Sequence, residues 1–367
     1  MPLAAAAKKY IWNLLKISLA AGLIFYLVRQ QHIDVEALWK SLTGPQIFLY
    51  GFIGLILHAI VTYRLQLVLK LANISCDYRH LLKFNFIGVF FNYSLPGSVS
   101  GDIIKGVFMA RHCEITKARA LSAAFIDRLF ALYSVLIGSV LALLMGSSWQ
   151  DSYTLDFIAG IMVLALAVAT LVIFILSRAS RAPRFLAWAE SSRFLRGLRE
   201  NVLVMLRAPK LFASVVLVSL VGQSLYVFLF MLICDHLAGG TFASYLVHFF
   251  VQSVGLILVA VPISPAGIGV GQAVFHFLYN EVGVNAVGVS GAAANAVGGG
   301  AVGATAVASA VGTTAVAATA ITIVQILNFL VGLVGAYYFV TYKKAASDKS
   351  AAGAVSLASD SVNGRNV

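Results

Sequence analysis

Apolar runs of about 20 residues, each long enough to cross a bilayer, recur along the whole chain. They fall at Tyr10–Val28, Ile47–Leu69, Ala118–Met145, Leu155–Leu176, Leu211–Cys234 and Ile321–Tyr342. Such a chain has little choice of fold. Backbone N–H and C=O groups find no water in lipid, and a helix pairs them within one segment. Composition agrees. Of 367 residues, 60 % are hydrophobic and 11 % charged, whereas a soluble domain carries about 25 % charged residues. The implied class is an all-α integral membrane protein.

Two further apolar segments are broken. Leu81 to Leu95 would be about 22 Å long as a helix; it meets Pro96-Gly97, and the short piece Ser98 to Ala110 follows. Phe242 to Val261 meets Pro262 and Pro265, and Gly267 to Tyr279 follows. Proline lacks a backbone donor and glycine is conformationally loose, so both break helices. Broken backbone at membrane depth is tolerated only where protein or a wet cavity satisfies it. The pattern predicts two re-entrant hairpins, 81–110 and 242–280, beside six full spans. Paired breaks of this kind are also the best sequence pointer to a transporter's binding site.

Charge sets the orientation. The net charge of +12 is explained by basic loops facing an anionic leaflet, without any nucleic acid. Arg178, Arg181, Arg184, Arg193, Arg196, Arg199, Arg207 and Lys210 face only Glu190 and Glu200 between two spans. That loop is expected in the cytoplasm, as are Arg64, Lys70, Arg79, Lys83, Arg111, Lys117 and Arg119. The loops with Asp151, Asp156 and Asp235 are expected outside. Residues 184–206 have an amphipathic pattern suited to an interfacial connecting helix. The hairpins then enter from opposite sides, and the order span, span, hairpin, span occurs twice with reversed direction. This predicts an inverted-topology repeat: 1–150, then 151–342, with a low-complexity insertion at 282–320 and a disordered cytoplasmic tail at 343–367. The insertion could also be a poor helix or the start of the last span. Cys76, Cys113 and Cys234 suggest neither a metal site nor a disulfide framework.

Several residues could carry chemistry. Asp127 and Arg128 lie inside a span, where charge is expensive and usually faces a cavity. They point about 100° apart, so one of them should meet another element. Asp102 and Lys105 share a helix face, and Asp102 suits a partner for Arg128, a cationic headgroup or a cation. Ser94, Ser98, Ser100 and Gly101 surround one half-helix N-terminus, and Ser264, Gly267, Gly269 and Gly271 the other. Helix N-termini offer unpaired N–H groups suited to phosphate, and the two could converge on one anion. Asn85 with Asn92, His248 with Gln252, and Gln325 with Asn328 fit interhelical hydrogen bonds more readily than ligands. No catalytic signature, metal site or cofactor motif is present.

SLPGSVSGDIIKG (from Ser94), SAAFIDRLF (from Ser122) and PISPAGIGVGQAVF (from Pro262) together resemble the lysylphosphatidylglycerol synthase transmembrane family, over most of residues 10–342. The resemblance implies lipid translocation, and Lys8, Lys9, Lys16, Lys343 and Lys344 are expected to put both termini on the cytoplasmic side of a bacterial-type inner membrane. It also implies roles for Gly101, Asp102, Lys105, Asp127, Arg128 and the Ser264–Gly271 turn. Two departures stand out: Gln272 where the family often has an acid, and no soluble aminoacyl-transferase domain. The expectation is a flippase-like carrier, not an enzyme, for an aminoacyl-phospholipid, a polyprenyl-phosphate carrier or a glycolipid. The alternatives are a scaffold presenting lipid to a partner glycosyltransferase and an embedded enzyme acting on polyprenyl-linked sugars.

Overall fold

A computed structural model describes residues 29, 35–94, 100–145, 152–178, 208–259, 267–282 and 315–341. The first expected span, the interfacial helix, most of the insertion, the tail, Ser98, Ser264 and the three prolines of the hairpin turns lie outside the described residues. Among the described residues the chain forms ten helices and no strand. They are α1 (Val35–Thr43), α2 (Gln46–Leu71), α3 (Tyr78–Ser94), α4 (Ser100–His112), α5 (Lys117–Leu144), α6 (Tyr153–Arg178), α7 (Pro209–Ala238), α8 (Tyr245–Val259), α9 (Val270–Glu281) and α10 (Ala315–Thr341). Five of these, α2, α5, α6, α7 and α10, are long and apolar enough to cross a membrane.

α5 is the hub, packing against α2, α4, α6, α7 and α8. Thr116 caps its start, its hydroxyl accepting from the Arg119 N–H at 3.3 Å, which satisfies one orphan donor of the first turn. α6 sits at the periphery, with apolar side chains such as Phe157, Leu164 and Phe174 turned outward. That is the surface expected of a lipid-facing helix, since nothing apolar is lost by facing acyl chains.

The bundle has a basic and an acidic end. At one end a cluster gathers Ala72, Ile74, Phe108, Ala110 and Ala120, with Cys76, Ile115, Tyr338 and Phe339 against it. Lys70, Arg79, Lys83, Arg111, Lys117 and Arg119 belong to the helix ends that meet there. The Arg119 guanidinium donates to the Ala72 carbonyl at 2.7 Å. At the other end Leu155, Phe242, Tyr279 and Val282 share one core. There the Ser152 hydroxyl donates to Glu281 at 2.9 Å, and Asp235 accepts from the Phe242 N–H at 2.7 Å. α3 and α4 pair with their open end at the basic side; α8 and α9 pair with theirs at the acidic side.

α10 ties the two short-helix pairs together, and glycine makes this possible. Gly332 lies against the Phe90 backbone, and a Cβ on Gly335 would overlap the Phe86 carbonyl. Within the first pair, a Cβ on Gly101 would overlap the Gly88 carbonyl. In lipid, where no hydrophobic effect drives helices together, such close approach supplies the packing that holds them.

The described part of α10 starts at Ala315, so the last part of the low-complexity stretch belongs to the last span, one of the readings left open for it. Its small side chains Ala317, Ala318 and Ala320 are fully buried; alanine gives weak hydropathy but permits close packing. Cys76 and Cys113 form a disulfide with their Cα atoms 5.6 Å apart, where no disulfide was expected. The two cysteines are 37 positions apart, and only the return of α4 to the basic end brings them together. The short helix α1, with its Glu36–Lys40 pair, was also not anticipated.

Gly335→Ala should lower thermal stability in detergent by about 1–3 kcal/mol through overpacking. Gly160→Ala, at a position with open space around the new methyl, should leave the midpoint unchanged or slightly raised. Equal behaviour of the two variants would show that α10 does not press on α3.

Candidate functional site

Asp127 and Arg128 are neighbours on α5, and helical geometry sends them to different elements. Asp127 turns toward α2, where Arg64 donates through Nε to Oδ1 at 2.8 Å and through Nη2 to Oδ2 at 3.0 Å. This is a bidentate pair, the strongest geometry available to arginine and carboxylate. Its side chains are 11 % and 5 % exposed. Arg128 turns toward α4, where its Nη1 donates to Asp102 Oδ2 at 3.0 Å. Lys105, one turn on from Asp102, holds the other carboxylate oxygen at 3.1 Å. Here the Arg128 and Asp102 side chains are 27 % and 26 % exposed. Both members of the Asp-Arg dipeptide therefore meet another element, where one was expected to.

A cavity of ≈ 370 Å³ adjoins this network, within the usual range for ligand pockets, walled by α2, α5, α7, α8 and α10. Gly51, Gly54, Leu57, His58, Val61 and Arg64 form its stripe on α2, a helical face about 20 Å long. α2 runs toward the basic end, and Arg64 is its last lining residue. α5 runs away from that end, and Arg128 is its first. Both arginines therefore mark the same end of the cavity. Beyond them the wall is mostly apolar, including Leu132, Val135, Leu229, Leu256, Leu327 and Val331. Polar groups are few: His58 with Asn328 (Nε2 to Oδ1, 3.2 Å), Gln223, Tyr226, and Ser134 and Ser219, whose hydroxyls donate to their own helix backbones. The site is cationic at one end and oily along its length.

The remaining expected site residues are placed differently. The Ser100 hydroxyl donates to the Phe91 carbonyl at 3.0 Å, and the Gly101 N–H donates to Asn92 Oδ1 at 2.9 Å. Ser94 is exposed at the end of α3. Gly267 and Gly269 adopt positive φ of 72° and 83°, which explains glycine there, since a side chain is strained in that region. The Gly269 N–H donates to Gln272 Oε1 at 2.7 Å. Gly271 lies against Gln325 on α10. Asp102, Lys105, Asp127 and Arg128 thus come together, while Gly267, Gly269 and Gly271 lie outside the cavity wall. The Gly101 and Gly269 N–H groups are engaged within their own helix pairs. What the cavity meets is arginine.

Gln272 also explains itself. Its Nε2 donates to Thr322 Oγ1 at 3.1 Å and to Gln325 Oε1 at 2.7 Å. It is 1 % exposed. An amide can accept from Gly269 and donate to both other groups at once, whereas a carboxylate could only accept.

Sequence reasoning missed Arg64 and His58. Arg64 had been counted with the basic loops, although it sits seven residues inside the end of α2. A titratable residue flanked by apolar ones within a span was the available signal for both.

A bundle of membrane-length helices around a cation-ended apolar cavity is that of an α-helical integral membrane protein. The family model described as the lysylphosphatidylglycerol synthase TM region matches residues 13–297. The chain belongs to that family, and α10 lies beyond the matched stretch. No curated protein and no solved structure matches the chain.

Asp127→Asn should strand Arg64 in the bundle and cost about 3–5 kcal/mol of stability, as breaking buried pairs does. Arg64→Met combined with Asp127→Leu should recover most of that loss. Asp102→Asn should cost clearly less, because its pair is more accessible and partly screened. Thermal unfolding in one detergent reads all three; an equal loss at Asp102 would show that the two pairs are locked alike.

Proposed function

We propose that the protein is a flippase-like carrier that moves a phosphate-bearing amphipathic lipid between leaflets. The observation that carries this is the cavity. Arg128 supplies donors for a headgroup anion, Arg64 adds positive charge at the same end of the cavity, and the apolar length suits the start of an acyl or prenyl chain. Arginine's planar fork fits phosphate bidentately. Membership of the family supports a flippase-like role broadly. In this reading α3–α4 and α8–α9 are re-entrant hairpins entering from opposite faces, the two halves form an inverted repeat, and the substrate moves past their tips. The protein acts on its substrate by transfer and not by chemical conversion.

Arg128→Ala should abolish transfer of a fluorescent phospholipid between leaflets of sealed vesicles, while the protein stays folded, and Arg128→Lys should restore part of it. If Arg128→Ala with Asp102→Asn transfers lipid fully, Arg128 is only a structural charge.

The basic end is proposed to face the cytoplasm of a bacterial inner membrane, by the positive-inside rule. Cysteines introduced at positions 156 and 236 should then react with an impermeant reagent on intact cells, and those at 79 and 117 should not. The Cys76–Cys113 bond sits at that same basic end, where cytosolic glutathione would keep most thiols reduced. Labelling at position 79 or 117 from outside would reverse the orientation and place the disulfide in an oxidising compartment.

A further inference from the structure

The two ion pairs at the cavity are unlike, and the difference carries an inference that rests on the proposed lipid-binding role. Asp127 takes both its oxygens to one guanidinium in a nearly closed site, at 2.8 and 3.0 Å. Asp102 divides its oxygens between two cations, Arg128 and Lys105. Arg128 reaches it through one nitrogen, and the same guanidinium lies in the cavity wall. Arg64, Lys105 and Arg128 against Asp102 and Asp127 leave one net positive charge among the described residues of the network. Among the described residues, the rest of the cavity lining carries no carboxylate. A net charge held against an apolar cavity is costly until an anion joins it.

We infer that Asp102 is a built-in stand-in for the substrate: a monoanionic phosphodiester lipid takes over Arg128 from Asp102, leaving Asp102 with Lys105 on α4. The exchange is chemically matched, since carboxylate and phosphodiester each offer two oxygens to the same fork. It suits one negative charge. A zwitterionic headgroup brings no net charge to balance the network, and a dianionic phosphomonoester overshoots it. It also links binding to movement, because Arg128–Asp102 joins α5 to the α3–α4 pair. Releasing it loosens that pair from the hub helix, while Arg64–Asp127 keeps α2 and α5 together.

The test is binding of short-chain lipids to the purified full chain in detergent by isothermal titration. Dihexanoyl phosphatidylglycerol should bind the native protein, and dihexanoyl phosphatidylcholine and dihexanoyl phosphatidic acid should bind more weakly. Dimethyl phosphate, the same anion without chains, should bind far more weakly, which separates a lipid site from a site for a free anion. Asp102→Asn removes the competing carboxylate and should tighten phosphatidylglycerol binding roughly tenfold, about 1.4 kcal/mol. Arg128→Gln should abolish it. Asp102→Glu keeps a competitor and should bind no tighter than the native chain, so the tightening is not mere loosening of the fold. Unchanged or weaker binding by Asp102→Asn overturns the exchange, as does equal binding of the zwitterion or of dimethyl phosphate. Should Asp102→Asn fail to fold, Lys105→Met is the variant to read. That variant leaves Asp102 to Arg128 alone and should weaken binding; stronger binding overturns the proposal. Leaflet transfer measured on the same preparations separates the two readings. The predicted binding pattern without transfer leaves the exchange standing and removes the carrier role; transfer without the pattern does the reverse.

Discussion

Arg64 and Asp127 fix the interior. On insertion scales a charge at mid-span costs about 2.5–3.5 kcal/mol, and removing one partner of a buried pair costs more than the pair is worth. Once α2 and α5 are inserted, the two charges must find each other, and the bidentate geometry leaves little rotational freedom. That sets the azimuth of α5. Arg128, the next residue, is then turned about 100° away, toward α4 and the cavity. One dipeptide thus settles helix register and aims a cation at the site. Asp102 and Lys105 come to the same place because a three-residue step keeps them on one face of α4.

Around this network the bundle depends on close backbone contact. Gly88 with Gly101, and Gly335 with Phe86, bring α3, α4 and α10 closer than side chains would allow. The Gln272–Gln325–Thr322 network then joins α9 to α10. α10 lies beyond the stretch that defines the family, yet it closes the cavity with Val324, Leu327, Asn328 and Val331. Both short-helix pairs are held by one helix, and a displacement of either would be felt by the other.

Much of this was legible in the sequence. Five of the six expected span positions, those within the described residues, followed from apolar length, and apart from the start of α10 their ends agree within a few residues because charge and proline mark where lipid stops. The pairing of the short helices followed from their breaks, their opposite open ends from the distribution of basic residues, and the Asp102–Lys105 face from its spacing. Arg64 was not legible because it stands a few residues before Lys70 and reads as part of a topological cluster; only its partner on α5 shows that it faces inward. The disulfide depends on α4 returning to the basic end. The Gly101 and Gly269 donors looked free for an anion because sequence does not show that Asn92 and Gln272 reach back to them. The cavity itself arises from five helices that are far apart in the chain.

The division of labour between the two arginines follows from burial. A guanidinium closed in by both carboxylate oxygens gains little by exchanging them for a phosphate, since the new bonds replace equal ones and the displaced Asp127 would be left without a partner in a dry site. Arg128 faces a different balance. Its carboxylate keeps Lys105 after the exchange, so no charge is stranded, and its guanidinium already borders the space an amphiphile would fill. A binding site inside a membrane must be charged enough to draw a headgroup and neutral enough to persist without one. Asp102, shared between two cations on the more mobile side of the network in the proposed cycle, meets both conditions at once.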